Sequence, residues 1–164
     1  MFNFINRKPY RIGVALSGGG ARGFAHAGAL KALGELGVKP DIIAGVSAGS
    51  VVSVLYSSGM SPEAMVELFA GLKFSDLCSL GVPKDGFFKQ DGFRRLIADN
   101  VAVRNIEDLP IRTVICATDM DHGEAVAFES GAIAERVSAS CSIPIVFKPV
   151  KIDGVRYIDG GVLH

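Results

Sequence analysis

Ser47 lies in Gly45-Val46-Ser47-Ala48-Gly49, with a glycine two positions away on either side. A short apolar run, Ile42 to Ala44, precedes this stretch, and a second apolar run with helical spacing begins directly after it. Strand, sharp turn and helix in that order make a nucleophile elbow. The tight backbone lifts the hydroxyl above the sheet, and Gly45 and Gly49 remove side chains that would collide with neighbouring chain. Ser47 is therefore the candidate nucleophile. A chain with 20 glycines in 164 residues also yields small-residue patterns by composition, so a tight turn without chemistry competes with this reading of the single motif.

A second glycine-rich turn, Ser17-Gly18-Gly19-Gly20-Ala21-Arg22-Gly23, follows the apolar run Arg11 to Leu16 and opens a helix. It satisfies G-x-G-x-x-G, the dinucleotide-binding pattern. That function needs an acid at the carboxyl end of the second strand to hold a ribose. Here the acid, Asp41, precedes the strand, and the carboxyl end carries Ser47. One end of the sheet thus offers a hydroxyl on one turn and, on the other, unobstructed backbone N–H groups at a helix N-terminus, which stabilise an anion. In acyl transfer the anion is the tetrahedral oxyanion, and one such donor is typically worth ~2.7–4 kcal/mol of barrier. Gly18, Gly19 and Gly20 are the expected oxyanion hole.

A serine nucleophile needs a base, usually histidine. His26 falls in the first turn of the helix after the glycine loop, His122 in a hairpin turn and His164 at the final residue, none of them in a convincing strand-end loop. The last strand instead delivers Asp159, and Gly160 and Gly161 leave space around its carboxylate. Ser47 and Asp159 are the expected dyad, although Asp-Gly-Gly on its own reads as a turn.

The elements that must carry these groups follow from periodicity. Arg11 to Leu16 has the continuous apolar character of a strand buried on both faces. Phe24, Ala27, Leu30, Leu33 and Leu36 recur at helical spacing, with Gly37 as C-cap. Strand, loop, helix, strand, elbow and helix make a βαβα unit whose two strands are parallel neighbours. The elbow helix is expected over Ala48 to Ser58. Ser61-Pro62-Glu63 then caps another helix that reaches about Phe69. From Gly71 to Gln90 large apolar residues, Phe87 and Phe88 among them, lie in an irregular pattern, read either as a cover over an apolar cleft or as a packed surface loop. A short helix over Asp91 to Asn100, a strand over Arg112 to Thr118 with a hairpin partner at Ala125 to Phe128, a helix over Ala132 to Ser140 and an Asp153-Gly154 hairpin complete the chain.

Composition sets the outer limits. Residues 1–10 read as a tail and 11–164 as one domain, large enough for its own core. Lys plus Arg and Asp plus Glu are both 17, without a block of like charge, which argues against a nucleic-acid partner. Cys78, Cys116 and Cys141 are far apart and show no C-x-x-C spacing, so reduced thiols and a cytoplasmic setting are expected, with no metal and no cofactor. The start of the chain lacks a signal-like apolar stretch, and no window reaches the ~18 uninterrupted apolar residues of a membrane span. A peripheral membrane contact stays open, as does the oligomeric state.

Taken together, Gly18-Gly19-Gly20-Ala21-Arg22-Gly23, Gly45-Val46-Ser47-Ala48-Gly49, Ala139-Ser140-Cys141-Ser142-Ile143-Pro144 and Asp159-Gly160-Gly161 resemble the ordered motifs of the patatin-like phospholipase family, specifically its bacterial branch. The resemblance covers Arg11 to Gly161. It implies a three-layer α/β/α fold with a mainly parallel central sheet, a Ser–Asp dyad without histidine, an oxyanion hole at the glycine loop, and hydrolysis of lipid acyl esters without a metal. Arg22 matches a basic position of the family's loop, where it holds the loop or meets a lipid phosphate. Ser17 departs from the acid that many members carry before the glycines. Family domains also continue past the Asp-Gly-Gly turn, so a chain ending at His164 is expected to be a truncated form. Two other functions remain on the same residues: a non-catalytic lipid or acyl-chain binding module, and a nucleotide-binding regulatory domain.

Overall fold

The computed structural model describes residues 10–72 and 91–163. The expected tail apart from Tyr10, nearly all of the segment read as a cleft cover, and His164 lie outside the described residues. Within them the chain runs β1 (Gly13–Leu16), a 3-10 turn (Gly20–Gly23), α1 (Phe24–Glu35), β2 (Ile42–Val46), α2 (Ala48–Ser57) and α3 (Pro62–Gly71). It continues with α4 (Asp91–Asn100), β3 (Arg112–Asp119), β4 (Glu124–Phe128), α5 (Ile133–Ser140), β5 (Val150–Ile152), β6 (Val155–Asp159) and a final 3-10 turn (Gly160–Val162).

Local signals place the helix ends. Gly37 takes φ 72° after α1, and the Val38 N–H closes back on the Leu33 carbonyl at 2.8 Å, a C-terminal lock that a residue with a side chain enters only at a cost. Ser61 Oγ accepts the Ala64 N–H at 3.2 Å, with Pro62 in the first turn behind it. β1 is shorter than its apolar run suggests, because the N–H groups of Arg11 and Ile12 are taken by the Asp41 carboxylate at 2.9 and 3.0 Å.

β1, β2 and β3 are parallel neighbours, with Leu16 opposite Gly45 and Val46 opposite Cys116. Along Ile115 to Asp119, β3 is paired on both sides. β4 runs antiparallel along one side; the other is taken by β2 as far as Cys116 and by antiparallel β6 from Ala117 onward. β2 and β6 therefore meet head to head against β3.

One core joins Leu30, Ile43, Leu55, Met65 and Ile115, all essentially inaccessible, with Leu96 and Val137 from the later helices. α2 packs on β1, β2 and β3, and α5 on β3, β5 and β6. On the opposite face of the sheet Ile42, Ala44, Val46 and Val114 are apolar but half-buried, and Ala15 is exposed. β1 is thus not buried on both faces among the described residues. The residue types on that second face are those of a strand layer covered from both sides, as in a three-layer α/β/α fold.

Candidate active site

Ser47 is the residue between β2 and α2, at φ 51° and ψ −123°. A non-glycine residue in this region stores about 1–3 kcal/mol of strain, which persists only where the surroundings hold it. Here they do. The Ser47 N–H donates to Ser140 Oγ at 2.8 Å, and its carbonyl accepts the Ser50 N–H at 2.8 Å and the Ser50 hydroxyl at 2.6 Å. The two elbow glycines are required by space. A Cβ on Gly49 would stand 2.1 Å from the Leu16 carbonyl oxygen, and one on Gly45 2.4 Å from the Gly49 carbonyl oxygen. The turn is seated directly on the end of β1.

That contact brings the glycine loop alongside. A Cβ on Gly18 would lie 3.3 Å from Ser47 Cβ and 3.9 Å from its hydroxyl oxygen, and Gly23 faces Ala48 in the same way at 3.1 Å. Gly19 and Gly20 adopt φ 156° and 55°, which carries the loop over into its 3-10 turn. Arg22 is exposed, and its side chain is not part of the cleft wall. His26 Nε2 lies 2.8 Å from the Ser17 carbonyl oxygen, tying α1 to the loop.

Asp159 closes β6. Its N–H donates to the Ser142 carbonyl at 2.9 Å, and its Oδ1 accepts the Gly161 N–H at 2.8 Å. The residue is 7% exposed, and Oδ2 is buried with no hydrogen-bond partner. No hydrogen bond links it to Ser47 here, although the meeting of β2 and β6 sets the two residues at adjoining strand ends. Gly160 makes that approach feasible: a Cβ there would lie 2.5 Å from the Cys116 carbonyl oxygen and 3.1 Å from Val46 Cγ1.

Ser47 also lines an apolar cleft of about 230 Å³, together with Gly20, Gly23 and Cys141. Two edge-to-face aromatic pairs stand in its walls, Phe24 with Phe69 at 5.5 Å and Phe93 with Phe147 at 6.0 Å. Leu72, at the start of the segment read as a cover, is in the lining too.

The family model for patatin-like phospholipase matches residues 14–164. The chain belongs to the patatin-like phospholipase family. It is similar to an uncharacterized NTE family protein of Mycobacterium tuberculosis, 34% identical over 155 residues that cover 93% of this chain and 43% of the relative. A lysophospholipase of Aspergillus fumigatus is 32% identical over 158 residues, 93% of this chain and 10% of its own length. The chain thus spans less than half the length of these curated relatives. Among solved structures, VipD from Legionella pneumophila superposes with a TM-score of 0.78 at 18% identity, covering 95% of this chain and 47% of VipD. The type III effector ExoU gives 0.57 at 19% identity over 83% of this chain and 41% of ExoU. Both share the fold.

In this patatin-like chain one of the four motifs has no role evident from its residue types, the end of α5. Ser140 holds the Ser47 backbone, Ser142 holds the Asp159 backbone, and Cys141 lies between them, with its sulfur 3.8 Å from Ser50 Oγ. Burial pushes the Cys141 thiol up to about 12, and the Asp159 charge adds to the effect, while the Ser50 and Ser47 hydroxyls act against it. It is a neutral thiol near pH 7, unsuited to nucleophilic attack. Ser140, Cys141 and Ser142 stand at a helix end, where exposed turn-formers would be ordinary, and all three are instead buried. His122 sits on the β3–β4 turn, its Nδ1 2.8 Å from Asp119 Oδ2, and has no part in the cleft lining.

Proposed function

We propose that this chain carries the acyl-hydrolase site of a lipid esterase that cleaves fatty-acyl esters of phospholipids or related lipids. The observation that carries the reading is the strained Ser47 in the lining of an apolar cleft, with the glycine loop against its side chain. An apolar cleft suits an acyl chain, since each methylene removed from water contributes about 0.8 kcal/mol. In this reading Asp159 accepts the Ser47 proton as the oxygen attacks the ester carbonyl. The backbone N–H groups of Gly18, Gly19 and Gly20 stabilise the tetrahedral oxyanion. Asp159 then returns the proton to the leaving alcohol, and water releases the acyl group by the same steps in reverse order. The buried, unpartnered Oδ2 of Asp159 is an acceptor awaiting a proton donor, which supports its assignment as base. In this reading Arg22, exposed beside the loop, meets a lipid phosphate.

The nucleotide-binding alternative loses its acidic residue, because Asp41 is engaged with the backbone at the start of β1, at the far end of the strand from the glycine loop. A fluorophosphonate probe separates catalysis from mere lipid binding. The expected outcome is covalent labelling of the chain that Ser47→Ala abolishes, with turnover of a fatty-acyl ester lost in parallel. Labelling that survives Ser47→Ala, or none on the unsubstituted chain, removes the esterase reading.

A further inference from the structure

We propose that Ser140 is a positioning residue for this site, its hydroxyl setting the Ser47 side chain against Asp159 by fastening the Ser47 backbone to β3. The proposal rests on the reading of Ser47 as nucleophile. Ser47 follows the last ladder residue of β2 and precedes the first residue of α2, so its N–H belongs neither to the sheet nor to the helix. Ser140 Oγ accepts that N–H at 2.8 Å and donates its own proton to the Cys116 carbonyl at 2.7 Å. Both serines are buried, so loss of the hydroxyl leaves the Ser47 N–H without this partner at a desolvation cost.

Cys116 is the β3 residue opposite Val46, and the next residue, Ala117, is opposite Asp159. The Ser140 hydroxyl therefore bridges the elbow to the point on β3 where the two strand ends meet. Two residues later the Ser142 carbonyl receives the Asp159 N–H at 2.9 Å. One helix end thus holds the backbones of both residues, and the Ser140 link is the one made by a side chain. Without that hydroxyl the elbow keeps its fold through the Gly49 contact and the Ser50 bonds, but the φ 51° conformation loses the bond that fixes its amino side. The expected defect is in reaction rate, with substrate binding largely spared.

The test measures fluorophosphonate labelling of Ser47, resolved into probe affinity and maximal rate, alongside the melting temperature, on the full chain. Ser138 supplies the control: its buried hydroxyl bonds the Ala134 carbonyl at 2.6 Å within α5 and makes no link to Ser47. Ser140→Ala should lower the maximal labelling rate about 100-fold, the scale expected for a small displacement of a reacting group, with affinity nearly unchanged. Ser140→Thr, which keeps the hydroxyl, should recover most of the rate, and Ser140→Cys, of similar size with a weak donor, should fall between them. Ser138→Ala should label as fast as the unsubstituted chain even if it melts lower. Equal labelling of Ser140→Ala and the unsubstituted chain overturns the assignment, as does an equal loss in Ser138→Ala, which would mark a general stability effect. Should Ser140→Ala fail to fold, the ranking of Thr above Cys decides. An unsubstituted chain that does not label at all removes the nucleophile reading, and this assignment falls with it.

Discussion

Val46 and Asp159 lie end to end along one side of β3, Val46 opposite Cys116 and Asp159 opposite Ala117. β2 runs parallel to β3 and β6 antiparallel to it, so their carboxyl ends point at one another. An elbow after Val46 and a glycine turn after Asp159 are then confined to the same place. The absence of a side chain at Gly160 lets the second turn pass between Val46 and the Cys116 carbonyl.

From this arrangement Asp159→Asn should cost about 10²–10⁴-fold in ester turnover, the usual contribution of a positioned acid–base group. The amide has nearly the carboxylate's shape and can still accept the Gly161 N–H, so the fold should survive, as checked by circular dichroism and melting temperature. His122→Gln should retain most of the activity, because that ring serves Asp119 on the β3–β4 turn and does not line the cleft. Near-normal turnover in Asp159→Asn, with loss in His26→Gln or His122→Gln, would replace the dyad with a histidine-based mechanism.

Glycines that look alike in the sequence should respond very differently to alanine. At Gly49 a Cβ meets the Leu16 carbonyl oxygen at 2.1 Å, backbone against backbone, and neither partner can rotate away. Gly49→Ala should therefore prevent folding or lower stability by more than about 4 kcal/mol, beyond the ordinary range for single substitutions. Gly28, exposed inside α1 with nothing within 4 Å of its Cβ position, should instead gain about 0.5–1 kcal/mol on replacement by alanine. Urea unfolding of the two variants measures both. Equal responses would mean that the close contact at Gly49 is not a constraint.

Most of the fold was legible because period and punctuation agreed. Asp91 to Asn100 and the Asp153-Gly154 hairpin lie where the residue pattern puts them, and Asp153 and Gly154 take φ 49° and 94° as that turn requires. Three of the four motifs, two glycine turns and an Asp-Gly-Gly turn, were legible as candidates for one site because they are punctuation of the same kind. What the sequence could not reveal was contact across the chain. Ser140 lies 93 residues from Ser47, and its role depends on one hydrogen bond that no local pattern encodes. Asp41 is the converse case, an acid whose position excluded a ribose contact but whose actual partners, the Arg11 and Ile12 N–H groups, are set by strand pairing.

Phe24 offers a test of the cleft that leaves the core in place. It is 41% exposed, packs edge-on against Phe69 and lines the cleft near the glycine loop. Truncation to alanine should remove contact with about two methylenes of an acyl chain, roughly 1.6 kcal/mol, or about 15-fold in kcat/KM for a long-chain ester. A short-chain ester that does not reach Phe24 should be nearly unaffected. The two kcat/KM values, measured on one preparation, give the ratio that matters. If both substrates lose equally, Phe24 is shaping the glycine loop and not the acyl path.

The Cys141 thiol makes the site sensitive to alkali through stability. Its ordinary value of 9.0 is pushed up to about 12, chiefly by burial and further by the Asp159 charge. A thiol is neutral when protonated, so between about pH 9 and 12 the folded chain keeps a proton that the unfolded chain has released. Stability is then fully present below about pH 9 and falls above it by at most about 1.4 kcal/mol per pH unit for this one group. Cys116 and Tyr157 are also raised by burial and contribute to any alkaline loss, so the comparison must be made against Cys141→Ala, in which their contributions remain. The difference in unfolding free energy between the unsubstituted chain and Cys141→Ala should be constant from pH 7 to 8.5 and then shrink with the slope given above. A difference that stays flat to pH 10.5 would show that the thiol ionises as readily in the fold as out of it, contrary to its burial between Ser47 and Asp159.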